Sequence, residues 1–236
     1  EHSEWFSDQW DPLSYGQDYD FSRPFFEQFK ELSNKVPKPS KSAIGPQEGN
    51  EYSNNFSYLK NCYLIFNTSH AEDCAYGNAL DHCNSCFDNS NVGQMELSYE
   101  NFNSGRSSRI FFSVTIADST DIYFSKNLRG CHDCFGCTNL RKKAYHIFNQ
   151  PFSKEEYFKE IKKFDLGSYA QIQELLKRSE ELWLKFPNKF REDGSKSVNV
   201  SGEYVYQSKN AHKVYMAIGA EDVKYSQYIN FPTIKD

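Results

Sequence analysis

Between residues 48 and 151 the apolar and polar positions recur every twelve residues. From Cys62 the steps of twelve are Cys74, Cys86, Ser98, Ile110, Ile122, Cys134 and His146. From Tyr63 they are Ala75, Phe87, Tyr99, Phe111, Tyr123, Phe135 and Ile147. From Phe56 they are Thr68, Leu80, Val92, Ser104, Ile116, Leu128 and Leu140, and from Asn55 they are Asn67, Ala79, Asn91, Asn103, Thr115, Asn127 and Asn139. One column is small or apolar, one mostly aromatic, one mostly aliphatic and one mostly asparagine. Columns that hold their phase this long without an insertion are the mark of a repeat architecture.

Twelve residues are too few for a helical-pair repeat. At about 3.3 Å per residue they make a loop of about 40 Å, enough for a closed coil of two short strands and two turns. Coils stacked by backbone hydrogen bonds about 4.8 Å apart bring like positions above one another, which produces columns. The Cys62 and Phe56 columns lie half a coil apart, so they face each other across the interior. Asparagine tolerates left-handed turns, so its column reads as a stacked turn. The fold class is therefore mainly β: a β-solenoid, or β-helix, whose stability is summed over neighbouring coils.

The flanks break this period. Residues 1–47 are aromatic-rich, and the run Ser22–Leu32 predicts a helix with Ser22 as N-cap and Pro24 in its first turn. Phe25, Phe26, Phe29 and Leu32 share one face of that helix. An open solenoid end needs a cover, and this segment is the candidate N-terminal cap. Residues 152–190 predict an inserted or appended α-helical pair. Ser153 with Glu156, and Ser168 with Gln171, each read as a capping box, and both helices carry an apolar stripe suited to packing on the solenoid or to an oligomer interface. Residues 191–236 read as a polar linker and further solenoid-like strands. There Val214-Tyr215 repeats the Cys62-Tyr63 step.

Composition changes this picture little. The chain is 38% hydrophobic and 17% aromatic, as suits a thin coil with little aliphatic core. The net charge of −5, without a long basic run, disfavours nucleic acid as a partner. No apolar stretch reaches membrane-spanning length, so membrane insertion is not expected. No secretory signal is recognised, so the expected location is cytoplasmic; secreted or surface is the alternative if the N-terminus, Glu1, is processed.

The seven cysteines supply the candidate chemistry. Cys131, Cys134 and Cys137, with His132, form one candidate zinc set; Cys74, Cys83 and Cys86, with His82, form another. The plainer reading is that cysteine fills the interior as a small buried hydrophobe. A spacing of three already fits the column phase, so CxxC arises without a metal. No cofactor is expected apart from zinc in that alternative. Asp73, Asp121 and Asp133 share a column, and stacked carboxylates beside an outward-facing aromatic column would suit a polysaccharide. No catalytic residue is assigned, because no nucleophile, phosphate-loop or zinc-protease motif is found. Trp5, Phe6, Trp10 and Tyr15 are the candidate partner-binding aromatics.

The stretch from Trp10 to Phe29, with Asn61-Cys62-Tyr63, Cys134-Phe-Gly-Cys137-Thr-Asn-Leu-Arg141 and Ile147-Phe-Asn149, resembles an uncharacterised family of bacterial proteins with Asn/Cys-rich short repeats. Members of that family often begin with a four-cysteine zinc ribbon, which is absent here. The resemblance implies the repeat fold and no activity. The leading expectation is a non-enzymatic β-solenoid scaffold that binds a protein or polymer. A zinc-binding module and a polysaccharide-binding or polysaccharide-active β-helix are the alternatives.

Overall fold

The computed structural model describes residues 7–44, 49–50, 52–186, 196–229 and 234–235. The chain separates into two compact units, residues 1–182 and 183–236.

The first unit is built on a large, mainly parallel sheet in which each residue pairs with the residue twelve further on. Phe56 lies beside Thr68, Leu80 beside Val92, Cys86 beside Ser98, Ile110 beside Ile122, Ile116 beside Leu128 and Cys134 beside His146. The columns of the sequence are thus rows of hydrogen-bonded neighbours.

Burial has a shorter period, of three. Phe56, Leu59, Cys62, Ile65, Thr68, Ala71 and Cys74 are buried in succession. Each inner residue from Cys62 to Thr68 follows a residue with φ near +50°, namely Asn61, Leu64 and Asn67. Ser85, Asp88, Asn91 and Gln94 continue the pattern, so from there each repeat bends at four left-handed corners rather than the expected two turns. The asparagine column is one of the four. Its members Ala79 and Thr115 are left-handed too, with φ of 55° and 58°. A left-handed residue costs about 1–2 kcal/mol unless it is Gly, Asn or Asp. Here parallel hydrogen bonding and packing to the next repeat hold it.

Polar residues in the interior do defined work. Ser119 Oγ donates to the Ala117 carbonyl at 2.7 Å and accepts the Cys131 N–H at 3.1 Å. Ser104, Ser107, Ser113 and Ser125 do the same, each towards its own i−2 carbonyl and the N–H of the residue twelve on. A buried N–H without an acceptor is costly, and these hydroxyls supply one. Asn89 and Asn101 bridge repeats in a third inner column: Asn89 Oδ1 accepts the Asn101 N–H at 2.9 Å, and Asn101 Oδ1 accepts the Ser113 N–H at 3.1 Å. The polar stretch 96–107 is therefore a hydrogen-bonded section of core.

The N-terminal flank departs from expectation. A 3-10 turn, Pro12–Tyr15, precedes helix α1, Phe25–Lys35. Pro24 sits at the N-cap without a side-chain hydrogen bond, while Ser22 donates to Asp20 instead. The aromatic face of α1 is open: Phe25, Phe26 and Phe29 are 54%, 80% and 55% exposed. The buried residue is Gln28, which donates to the Asp20 and Arg23 carbonyls. The first strand is covered instead by residues 42–44: Ile44 N–H donates to Phe56 O at 3.0 Å, Phe56 N–H donates to Ser42 O at 3.3 Å, and Ala43 packs on the core. The aromatic-cap expectation is corrected to this short strand-like segment.

The repeat stops at Gln150–Pro151, which folds back antiparallel on Ile147 and His146. Helix α2, Lys154–Ile161, begins with the expected capping box between Ser153 and Glu156. Helix α3 runs Tyr169–Trp183. Its second box is half formed: Ser168 Oγ accepts the Gln171 N–H at 3.5 Å, but the Gln171 side chain turns to the Asp165 N–H. The pair lays its stripe on the outer face of the last repeats. Tyr157 and Leu175 are buried with Phe124, Phe135 and Ile147. Phe164 stacks on Phe135 at 4.7 Å, and the Arg178 guanidinium lies 3.8 Å over the Phe148 ring. Each buried aromatic contributes about 1.5–3 kcal/mol. Gly136 makes room for this layer, because a Cβ there would sit 2.4 Å from the Phe148 ring.

The second unit repeats the arrangement in small. Strands Ser201–Tyr206, His212–Ile218 and Gln227–Ile229 are parallel, pairing Val205 with Ala217 and Ala217 with Ile229. Its core is Val205, Ala211, Val214, Ala217, Ala220, Val223 and Ile229. Gly202 takes φ +139° at a register shift, where a Cβ would meet the Val214 carbonyl oxygen at 1.9 Å.

Candidate functional site

All seven cysteines point inward, are buried and are free thiols. Their sulfurs behave as the inner serines do. Cys62, Cys74, Cys83, Cys86, Cys131, Cys134 and Cys137 each donate to the carbonyl two residues earlier. Cys137 Sγ also accepts the Asn149 N–H at 3.4 Å. Cysteine and serine therefore alternate in the inner columns because both plug the same backbone groups. A hydrogen bond with Cys86, then burial, raises the Cys83 thiol, whereas hydrogen bonds with Cys74 and then Cys83 lower the Cys86 thiol against the opposing effect of burial. A hydrogen bond with Cys134, then burial, pushes the Cys131 thiol up as well.

In both candidate zinc sets this arrangement sets the histidine apart from the cysteines. Cys131, Cys134 and Cys137 lie inside, whereas His132 is outside with Nδ1 2.8 Å from Asp133 Oδ2. Cys74, Cys83 and Cys86 likewise lie inside and His82 outside. The physical reason is the period of three: three residues take a cysteine to the next inner column, so Cys86 meets Cys74 and Cys83, and Cys134 meets Cys131 and Cys137, by thiol hydrogen bonds, while the histidine one residue from an inner position points out. Among the described residues the one cluster of three ligating groups within 4.8 Å of one another is His70, Asp81 and His82.

His70 and His82 share the fourth corner column, on the outer surface, and Asp81 stands in the column beside it. Tyr58, His70 and His82 stack in succession, with centroids 4.8 and 4.7 Å apart and rings tilted by 24° and 15°. Asp81 Oδ1 lies 2.8 Å from His82 Nδ1 and accepts the Ser69 hydroxyl. Tyr58, His70 and His82 border a groove of about 670 Å³ that also touches Lys60, Glu72 and Asn84. Lys60 and Glu72 form an ion pair across one repeat. Beyond Asp81 its column holds Gly93 and Gly105, which leave the space above the carboxylate open.

The aromatic column faces out and changes neighbours along its length. At Phe135 the helical pair buries it; at Tyr63 and Phe87 it is open. There Tyr52, Tyr63 and Tyr76 form an edge-to-face row, with centroids 5.4 and 5.6 Å apart. They are 64%, 44% and 55% exposed. Tyr204, Tyr215 and Tyr228 form the same row in the second unit, with centroids 5.6 and 6.1 Å apart. Both triplets are spaced by eleven and then thirteen residues. A step of eleven or thirteen moves up one repeat and sideways by one residue, which sets neighbouring rings edge to face. Stepping by twelve alone cannot reveal this signal; it is legible when adjacent columns are read together.

The remaining candidates disperse. Trp10 and Tyr15 are half-buried, while Trp5 and Phe6 lie outside the described residues. Asp121 is held bidentately by Arg109 at 2.6 and 2.7 Å, Asp133 by His132, and Asp73 by Asn61. The carboxylate column is thus tied up along the sheet. In the next corner column a hydrogen bond from Arg106 holds Asp118 below the ordinary carboxylate value. Of the apolar stripe of the helical pair, Tyr157, Ile161, Phe164, Ile172, Leu175 and Leu176 pack against the sheet, whereas Phe158 and Phe186 are exposed. Among the described residues no helix is long and apolar enough to cross a membrane. Comparison with models of known families and with curated proteins finds no match.

Proposed function

We propose that this chain is a non-enzymatic β-solenoid scaffold that recognises a protein partner through its two tyrosine rows. The observation that carries this reading is the duplication: the same edge-to-face triplet, with the same eleven-and-thirteen spacing, recurs in each of two separate units, all three rings exposed in the first and Tyr228 exposed beside the half-buried Tyr204 and Tyr215 in the second. Tyrosine offers a large rigid face and a polar tip, and it is enriched at binding hot spots. Rows mounted on a hydrogen-bonded sheet are pre-ordered, which lowers the entropic cost of binding. Two rows on one chain also allow avidity if one partner reaches both. The net charge of −5 favours protein over nucleic acid.

The test is position-dependent photo-crosslinking in source cells, with a photoreactive residue in place of Tyr63, Tyr215 or, as a control on the polar face, Arg106. The proposal expects one protein captured at both tyrosine positions and not at Arg106. Truncating either row (Tyr63→Ala, Tyr215→Ala) should weaken that complex about tenfold or more, the cost of losing a hot-spot side chain. Equal capture at Arg106, unchanged affinity of the variants, or capture of protease-resistant polysaccharide at the rows would each overturn it.

A further inference from the structure

We infer that His70, Asp81 and His82 form a surface site for one divalent transition-metal ion of the zinc class. Two nitrogens and a carboxylate oxygen are the donor set such ions take, and three protein ligands leave one position for water or an exogenous ligand. The three donor atoms already lie within 4.8 Å of one another. In a four-coordinate site with bonds of about 2.0–2.1 Å, donors stand about 3.3 Å apart. His82 Nδ1 and Asp81 Oδ1, at 2.8 Å, are close to that separation already. The ion takes the place of the proton between them, and that proton goes to solvent. His70, one repeat away in the same column, supplies the third donor.

The fold explains why this pair is ready. Parallel register fixes the two imidazoles 4.7 Å apart, face to face. Ser69 stands to His70 as Asp81 stands to His82, and its hydroxyl donates to Asp81, steadying the carboxylate from the repeat below. Gly93 leaves room above Asp81 for the ion and its water. The site is distinct from the buried thiols, which face the interior.

The experiment is cobalt titration of the full chain, followed by absorption, with zinc competition. The expected result is one equivalent bound, with ligand-field bands and no thiolate-to-cobalt charge-transfer band. Binding should weaken with added acid, because protons compete with the metal for its ligands. His70→Gln and His82→Gln, both at the surface, should keep the circular-dichroism spectrum and lose more than about 100-fold in affinity, beyond the loss of an outer-shell partner. Absence of saturable binding, undiminished binding in both variants, or a thiolate charge-transfer band at one equivalent would each refute the site.

Discussion

At the scale of the residue, the inner serines and cysteines are one device. Each closes a carbonyl below and, where the geometry allows, an N–H above. Ser119 makes both bonds, to Ala117 and from Cys131. Ser119→Ala leaves a buried N–H and a carbonyl short of a partner, and we expect a loss of about 1–3 kcal/mol in urea unfolding. Ser119→Cys keeps a donor and an acceptor in place and should lose less than half as much. If the two variants unfold alike, the hydroxyl is packing and not a bridge. The corners permit a test in the opposite direction. Thr115 is left-handed at φ 58° and interrupts the asparagine ladder, taking only a 3.5 Å contact from Asn103. Asparagine bears that conformation at lower cost, so Thr115→Asn should stabilise the chain by about 1 kcal/mol. A fall in the urea midpoint would contradict that account. The same corners show what was legible in the sequence. The asparagine column was readable because asparagine prefers left-handed turns. The other three corner columns hold Leu97, Phe112, Phe124 and Arg106, whose own preferences point elsewhere. Stacking imposes their conformation, so no propensity announces it.

At the scale of the element, periodicity identified every apolar face but not what covers it. Tyr157, Ile161 and Phe164 share a stripe, and they pack on Phe124 and Phe135 as a helical stripe should. Phe25, Phe26 and Phe29 share an equally good stripe and stand open. The pattern alone is the same in both; the difference lies in the aromatic column of the sheet, which offers the first helix pair a complementary layer. Burial in that layer raises the pKa of the Tyr157 hydroxyl above its usual value near 10. The folded state therefore holds this proton where the unfolded chain releases it. The stabilising effect is complete below about pH 10 and is lost as the pH climbs from there towards the elevated folded value, at up to about 1.4 kcal/mol per pH unit. Urea unfolding between pH 9 and 11 should show that decline, and Tyr157→Phe should make it shallower. An unchanged slope in the variant would place the alkaline sensitivity elsewhere, among the partly buried tyrosines of the sheet.

At the scale of the whole molecule, the two units invite separate unfolding, and the chain carries its own reporter. All seven cysteines fall between Cys62 and Cys137, inside the first unit, and the second unit has none. Among the described residues the second unit also has the smaller core, made of valines, alanines and one isoleucine. In a repeat array stability is summed over neighbouring repeats, so few repeats with small side chains give the weaker block. We expect circular dichroism to show a first urea transition with no thiol exposed and a second in which all seven become reactive to a thiol reagent together. In the native state none should react, because every sulfur is buried and hydrogen-bonded to backbone. The coincidence of the seven is the informative part. The first unit couples each repeat to the next through both the sheet and the inner hydroxyl and thiol bridges, so opening one repeat exposes polar groups on its neighbours. If Cys62 and Cys74 react at lower urea than Cys131, the array frays from its start, and residues 42–44 are a weaker closure than the helical pair is at the other end. If all seven react within the first transition, the division into two independently stable units is wrong.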